Sequence, residues 1–197
     1  MTAEIILAAA GESRRMGRWK PGVLLNNEPL LFHALKAALQ TPWPVILVGG
    51  YNFPALENLV TDFFSVHPFE KSRFKLVENP DYPRGPATSF LRGITESRGE
   101  WLFFNLADLP FITAETYQKL FDKRISPGCR PMAGTVPGHP VLVSRTLIPQ
   151  ILARYRNFLE QPTSDELAMK TLVGPLQPLE WADDAVIRDI DAAQQLS

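Results

Sequence analysis

Ile5-Ile6-Leu7-Ala8-Ala9-Ala10-Gly11-Glu12-Ser13-Arg14-Arg15-Met16-Gly17-Arg18-Trp19-Lys20 is the stretch that decides how the chain is read. An apolar run gives way to small residues, then to two glycines, three arginines and a lysine. Residues 4–8 suit a strand buried on both faces, because such strands read as continuous apolar runs rather than as alternation. Gly11 and Gly17 permit positive φ and expose backbone N–H groups that can form an anion-binding nest. Arg14 and Arg15 add planar donor forks, and Lys20 adds a point charge. The expectation is a buried strand ending at a loop that receives a polyphosphate. The competing reading is an ordinary strand-to-helix turn with solvated arginines. The spacing also excludes two alternatives: a P-loop needs Gly, four residues, then Gly-Lys-Ser/Thr, and a dinucleotide fingerprint needs Gly-x-Gly-x-x-Gly.

Working outward, Leu30, Leu31, Ala34, Leu35, Ala38 and Leu39 recur at helical spacing. Residues 45–48 read as a second buried strand, and Leu56, Leu59, Val60, Phe63 and Phe64 as the apolar face of a second helix. Residues 74–77 are a third strand. Thr88 is expected to cap a helix through Phe90, Leu91 and Ile94. Residues 101–106 form a fourth apolar run, and Thr113 caps a helix through Tyr117, Leu120 and Phe121. Strand alternating with helix four times predicts an α/β fold, a three-layer α/β/α sandwich on a mostly parallel twisted sheet. After Gly128 the pattern loosens. Residues 140–143 read as a strand, 147–155 as a helix, and Thr163 with Glu166 as a capping box ahead of Leu167, Met169 and Leu172. Residues 176–181 and 186–190 are expected to be short late strands.

Composition bounds the function. A chain of 197 residues suggests one domain spanning 1–197, large enough to need no disulfide or metal staple. A net charge of −1 argues against a general nucleic-acid binder. Cys129 is the only cysteine, so a reducing cytoplasm is the natural compartment. Glu4 interrupts what a signal peptide would keep apolar, and no apolar run approaches the roughly 20 residues of a membrane span. The expectation is a soluble cytoplasmic protein. The 18 prolines fall mostly between apolar segments, as punctuation of a folded domain.

Ligands of open α/β sheets bind beyond the carboxyl ends of the strands, near a switch in strand order. Asp108, in Asn105-Leu106-Ala107-Asp108-Leu109-Pro110, stands just past a buried strand and is a hard-oxygen ligand of the kind magnesium takes beside substrate phosphates. The plainer reading is a turn ahead of Pro110. In Asp189-Ile190-Asp191 an extended strand would point both carboxylates to one side; a solvated edge is the plainer reading. The loop 79–89, with Asn79, Gly85 and Ser89, offers small residues and free helix N–H groups to a base, ribose or phosphate. His139, held between Gly138 and Pro140, is placed to contact an anionic substrate. His33 and His67 read as helix-surface or loop residues.

Together these segments resemble a known family. AAAGESRRMGRWK looks like the nucleotidyltransferase signature of the MobA-like group, within the glycosyltransferase-A-type (nucleotide-diphospho-sugar transferase, Rossmann-like) fold. NPDYPRGPATSF, LADLP, PGHPVLVS and IRDID follow in the family's order. GHPVL, the paired aspartates and the Ala9-Ala10-Gly11 loop resemble the molybdenum cofactor cytidylyltransferase branch. The resemblance implies transfer of CMP from CTP to the terminal phosphate of molybdenum-loaded molybdopterin, with release of pyrophosphate and no covalent enzyme intermediate. It further implies that Arg15 and Lys20 bind the triphosphate and stabilise charge at the α-phosphorus. Asp108 and Asp191 would hold Mg²⁺, with Asp189 beside them. Ala9, Ala10, Gly11, Glu12, Ser13 and Arg14 would line the nucleotide pocket with Asn79, Gly85 and Ser89, and His139 would lie on the acceptor side. Residues 1–110 would form a nucleotide half and 111–197 an acceptor half, with a client molybdoenzyme as a possible partner. The departures are Pro21 directly after Lys20, residues 161–166 in place of a Gly-Asp-x-Gly-Ala-Arg segment, and Ala192 after Asp191. A guanylyltransferase, a sugar-phosphate nucleotidyltransferase and a non-catalytic cofactor carrier are the rival readings.

Overall fold

Ile5, Ile6 and Leu7 have no accessible surface, because the strand they belong to, β1 (Ala3–Ala9), runs between two parallel neighbours with helices over both faces. In the computed structural model, which describes residues 1–13, 16–160 and 168–190, those neighbours are β4 (Val45–Gly49) and β6 (Trp101–Leu106). β5 (Phe74–Glu78) extends the sheet in parallel beyond β4. Beyond β6 the sheet becomes mixed. There β9 (Val141–Ser144) runs antiparallel to both β6 and β7 (Gly128–Ala133), and β10 (Gln177–Glu180) lies parallel to β7 at the edge. A short β8 (Val136–Pro137) pairs back on β7. The order across the sheet is β10–β7–β9–β6–β1–β4–β5. A separate hairpin joins β2 (Leu24–Leu25) to β3 (Glu28–Pro29). It turns through Asn26 and Asn27 at φ 52° and 63°, the two left-handed residues that a type I′ turn requires.

One face carries α1 (Leu30–Leu39), α2 (Phe53–Val66) and α4 (Ala114–Asp122); the other carries α3 (Ala87–Glu96), α5 (Ile148–Glu160) and α6 (Met169–Val173). Strand alternation feeds the two cores separately. Ile5 and Leu7 enter the first, and Ile6 the second. Phe103 packs against Trp43 and Tyr117 at 5.1 and 5.3 Å between ring centroids, whereas Phe104 stacks on Phe90 of α3 at 5.0 Å. The three-layer architecture read from the sequence is therefore the one observed. No helix among the described residues is long and apolar enough to cross a membrane.

The structure differs from the sequence reading in detail. Thr113 does cap α4, its hydroxyl accepting from the Thr116 N–H in a reciprocal capping box. Thr88, by contrast, lies inside α3, and Pro86 takes the cap position without a side-chain bond. The Thr88 hydroxyl instead donates to the Gly85 carbonyl at 2.8 Å. Residues 128–133 form a strand that no apolar pattern announced. Residues 186–190 do not form one: Val186 and Ile190 are buried, but backbone contacts are isolated bonds, from His139 N–H to the Val186 carbonyl and from Ile190 N–H to the Asp108 carbonyl. The capping box expected at Thr163 and Glu166 lies outside the described residues.

Candidate functional site

The chain leaves β1 through α1 towards β4, and later adds β6 on β1's other side. Strand order thus reverses at β1 and β6, and their carboxyl ends open a crevice. A cavity of about 360 Å³ occupies it. Its walls are residues 8–13 with Lys20 and Pro21, the loop from Tyr82 to Ser89, and Leu106, Ala107 and Asp108 at the end of β6. Of the residues singled out from the sequence, Ala9, Ala10, Gly11, Glu12, Ser13, Lys20, Gly85, Ser89 and Asp108 all line this one cavity. Arg14, Arg15 and Asp191 lie outside the described residues. Tyr82, Pro83 and Pro86 are cavity walls that the sequence reading passed over, although Tyr82 was visible as the aromatic of a loop already under suspicion.

The first loop turns differently from expectation. Left-handed backbone falls at Ser13 (φ 56°) and Gly17 (φ 65°), not at Gly11. The Ser13 carbonyl accepts from the Met16 N–H at 3.0 Å, and its hydroxyl accepts from the Lys20 N–H at 3.1 Å, which folds the loop back on itself. Lys20 then opens a short 3-10 turn, Lys20–Gly22, where Pro21 is tolerated because a first-turn N–H has no helical partner. The result is a lysine only 8% exposed. Its ammonium donates to Asp108 Oδ2 at 2.8 Å across the cavity mouth. A third small core holds this arrangement. Leu25, Leu30 and Ile190 are its buried members, with Met16, Val23 and Phe111 packed against them. It clamps the first loop, the segment after Asp108 and the residues leading to Asp191 into one unit.

Asn79 is placed as a brace. It is 2% exposed and donates to the Thr88 and Ser89 hydroxyls at 2.9 and 3.2 Å, while its Oδ1 accepts from the Asp81 N–H. It shapes the loop that presents Gly85 and Ser89, and it does not itself line the cavity. Asp108 can serve a metal in the manner magnesium prefers, one or two carboxylates completed by phosphate oxygens. Its side chain is 26% exposed at the cavity wall, and no group of three His, Cys, Asp or Glu among the described residues forms a closed metal cage.

His139 stands beyond Asp108, on the β9 side of β6. Its Nδ1 lies 3.2 Å from the Phe104 carbonyl, which can only accept, so Nδ1 carries the proton and Nε2 is the acceptor of the neutral ring. Part of the residue remains accessible, yet dense packing around the imidazole pushes its pKa down from 6.5 to about 4. The Phe104 carbonyl and the Asp108 charge oppose the fall, and Arg130 reinforces it. A depressed histidine binds fewer protons folded than unfolded between these two values. Stability is therefore fully present above about pH 6.5 and is lost as pH falls towards 4, by up to ~3 kcal/mol. We expect His139→Gln to flatten this part of the profile. The check is urea unfolding at about pH 7 and about pH 4.5, and an undiminished acid loss in the variant would assign the effect to other groups.

A model of the MobA-like NTP transferase domain matches residues 5–167. The chain is 29% identical over 188 residues to the molybdenum cofactor cytidylyltransferase of Escherichia coli (strain K12), covering 95% of this chain and 90% of that protein. It is 27% identical over 118 residues to a probable molybdenum cofactor guanylyltransferase of Methanosarcina acetivorans, covering 60% of this chain and 51% of that one. Among solved structures, a nucleotidyl transferase from Methanothermobacter thermautotroptrophicus superposes with a TM-score of 0.75 at 18% identity, over 98% of this chain and 93% of the other.

Proposed function

Because the chain belongs to the MobA-like NTP transferase family, we propose that it transfers CMP from CTP to the terminal phosphate of molybdenum-loaded molybdopterin. The observation that carries a nucleotidyl-transfer site is the Lys20–Asp108 pair at the mouth of a cavity whose opposite walls are the first loop and the start of α3. A likeness to the cytidylyltransferase that spans nearly the whole chain, against part of it for the guanylyl relative, favours the cytosine nucleotide and this acceptor.

In this reading residues 1–110 bind the nucleotide and 111–197 the acceptor. Ala9, Ala10 and Gly11 leave room for base and ribose, and the α3 N-terminus directs N–H groups at phosphate. Lys20, with Arg14 and Arg15, neutralises the triphosphate. An oxygen of the acceptor phosphate forms the new bond to the α-phosphorus as the bond to the bridging β-oxygen breaks, and pyrophosphate departs. The attacking phosphate is already anionic at neutral pH, so no side chain has to remove a proton. The protein's contribution is alignment and charge stabilisation. In this reading Asp108 and Asp191, with Asp189 as a further candidate, would hold Mg²⁺, which when bound would polarise the phosphoryl oxygens and screen the charge of the leaving pyrophosphate. The single buried thiol, Cys129, fits a reducing compartment, and we place the protein in the cytoplasm, with a client molybdoenzyme receiving its product.

Thermal shifts with CTP, GTP, ATP and UTP in Mg²⁺, followed by pyrophosphate release with molybdenum-loaded molybdopterin, test this directly. CTP should raise Tm most, since a ligand of the native state stabilises by RT ln(1 + [L]/Kd), and it should support turnover. Equal or faster turnover with GTP would replace the reading with guanylyl transfer.

A further inference from the structure

Arg130 lies on β7, the strand that carries no readable pattern. It alternates with Cys129, which packs into the first core opposite Leu142, and so it faces the other side of the sheet, the side of Val141 and Phe104. One terminal nitrogen donates to the Gly138 carbonyl at 3.1 Å. Its Nε is buried and has no hydrogen-bond partner among the described residues, and none of them forms an ion pair with the guanidinium. Burial lowers the guanidinium's pKa, but arginine stays protonated in proteins. The group has given up part of its water, at Nε above all, without gaining a counter-charge among the described residues, an arrangement that an arriving anion would favour. It also keeps part of its surface accessible.

Its neighbours define where such an anion would come from. His139 lies within electrostatic reach of both Arg130 and Asp108, which act on it in opposite directions. Across the sheet from β1 to β7 the order is therefore nucleotide cavity, Asp108, His139, Arg130. The triphosphate is already served by the first loop on the other side of β6. A cation displaced across β9 to β7 faces whatever enters from the opposite side.

We propose that Arg130 is the anchor of an anion-binding subsite on the acceptor side, taking an oxyanion of the acceptor molecule such as a phosphate ester. The proposal rests on the nucleotidyl-transfer reading and adds to it the residue that selects an anionic acceptor. A planar fork receives tetrahedral oxyanions through paired N–H donors, and the neutral His139 ring beside it adds no competing charge. Were Arg130 only a brace for Gly138, no anion would be drawn to it.

The test keeps the acceptor's identity out of the measurement. The nucleotide site is filled with Mg²⁺ and the α,β-methylene analogue of whichever nucleotide stabilises the protein most, and methyl phosphate is titrated by calorimetry. Wild type should bind it, and Arg130→Gln should weaken binding about tenfold or more, the scale of a lost charged hydrogen bond. Arg130→Lys should bind more tightly than Arg130→Gln but less tightly than wild type, because it keeps the charge and loses the fork. Nucleotide affinity should be unchanged in both. Failure of the wild type to bind methyl phosphate, or equal binding by the glutamine variant, would overturn the subsite while leaving CMP transfer standing. An acceptor other than molybdopterin would leave the subsite standing. If Arg130→Gln does not fold, as judged by its thermal transition, Arg130→Met preserves the aliphatic stem and carries the same comparison.

Discussion

Asp108→Ala is expected to lower kcat/KM for nucleotidyl transfer by roughly 10³-fold or more, about 4 kcal/mol of transition-state stabilisation, with the fold retained. The carboxylate sits at the end of β6, faces the cavity and is already within 2.8 Å of the Lys20 ammonium. Its removal therefore takes away both a proposed metal ligand and the group that holds the lysine in place. Stability should suffer less. The pair is partly exposed on the carboxylate side, the net worth of such pairs is small, and Asp108 is not Lys20's sole partner. Asp108→Asn separates charge from shape: it should lose nearly as much activity, and Mn²⁺ titration in the presence of nucleotide should show weaker metal binding. Near-normal turnover of Asp108→Asn in metal-controlled buffer would remove Asp108 from the metal site.

The second large effect concerns how α3 is seated. A Cβ on Gly93 would stand 2.3 Å from Ile6 Cγ2 and 3.0 Å from Ile6 Cγ1, on an interior strand of the sheet paired on both sides. α3 cannot simply lift away, since Phe90, Leu91 and Ile94 bury their side chains on the same face. Gly93→Val should destabilise by ~3 kcal/mol, the upper range for overpacking a close-packed interior. For a chain of this length that corresponds to a fall in Tm of about 10 °C. Nucleotide affinity should fall with it, because the same helix carries Ser89 into the cavity wall. Ile6→Ala in the same molecule should recover part of the loss, since contacting residues are not additive. Additive destabilisation in urea unfolding would mean that the strain is relieved elsewhere.

How legible this molecule was depends on where its order comes from. The strands at residues 3–9, 45–49 and 101–106 are buried on both faces, and such strands announce themselves as unbroken apolar runs. β7 reads Gly-Cys-Arg-Pro-Met-Ala and owes its extension to its neighbours β9 and β10, a tertiary cause with no local signature. Arg130 was hidden with it. The opposite error arose at residues 186–190, where apolar residues are buried under loops rather than paired in the sheet. At the site, Lys20 and Asp108 were each singled out by residue type and position after a strand. Their direct contact was not readable, because it depends on the Ser13 turn that brings Lys20 back over the cavity. Asn79 was picked for its loop, but its amide is spent inside that loop.

The Lys20–Asp108 contact also sets an order of assembly. Its partners are 88 residues apart, and the strand that delivers Asp108 is added to β1 only after β4 and β5 have been laid down along the chain. Closing so long a loop carries an entropic penalty and slows folding. A chain that extends only as far as β5 carries the first loop but not the carboxylate that pins its lysine. The cavity, walled in part by Leu106, Ala107 and Asp108, therefore cannot close until β6 has joined β1.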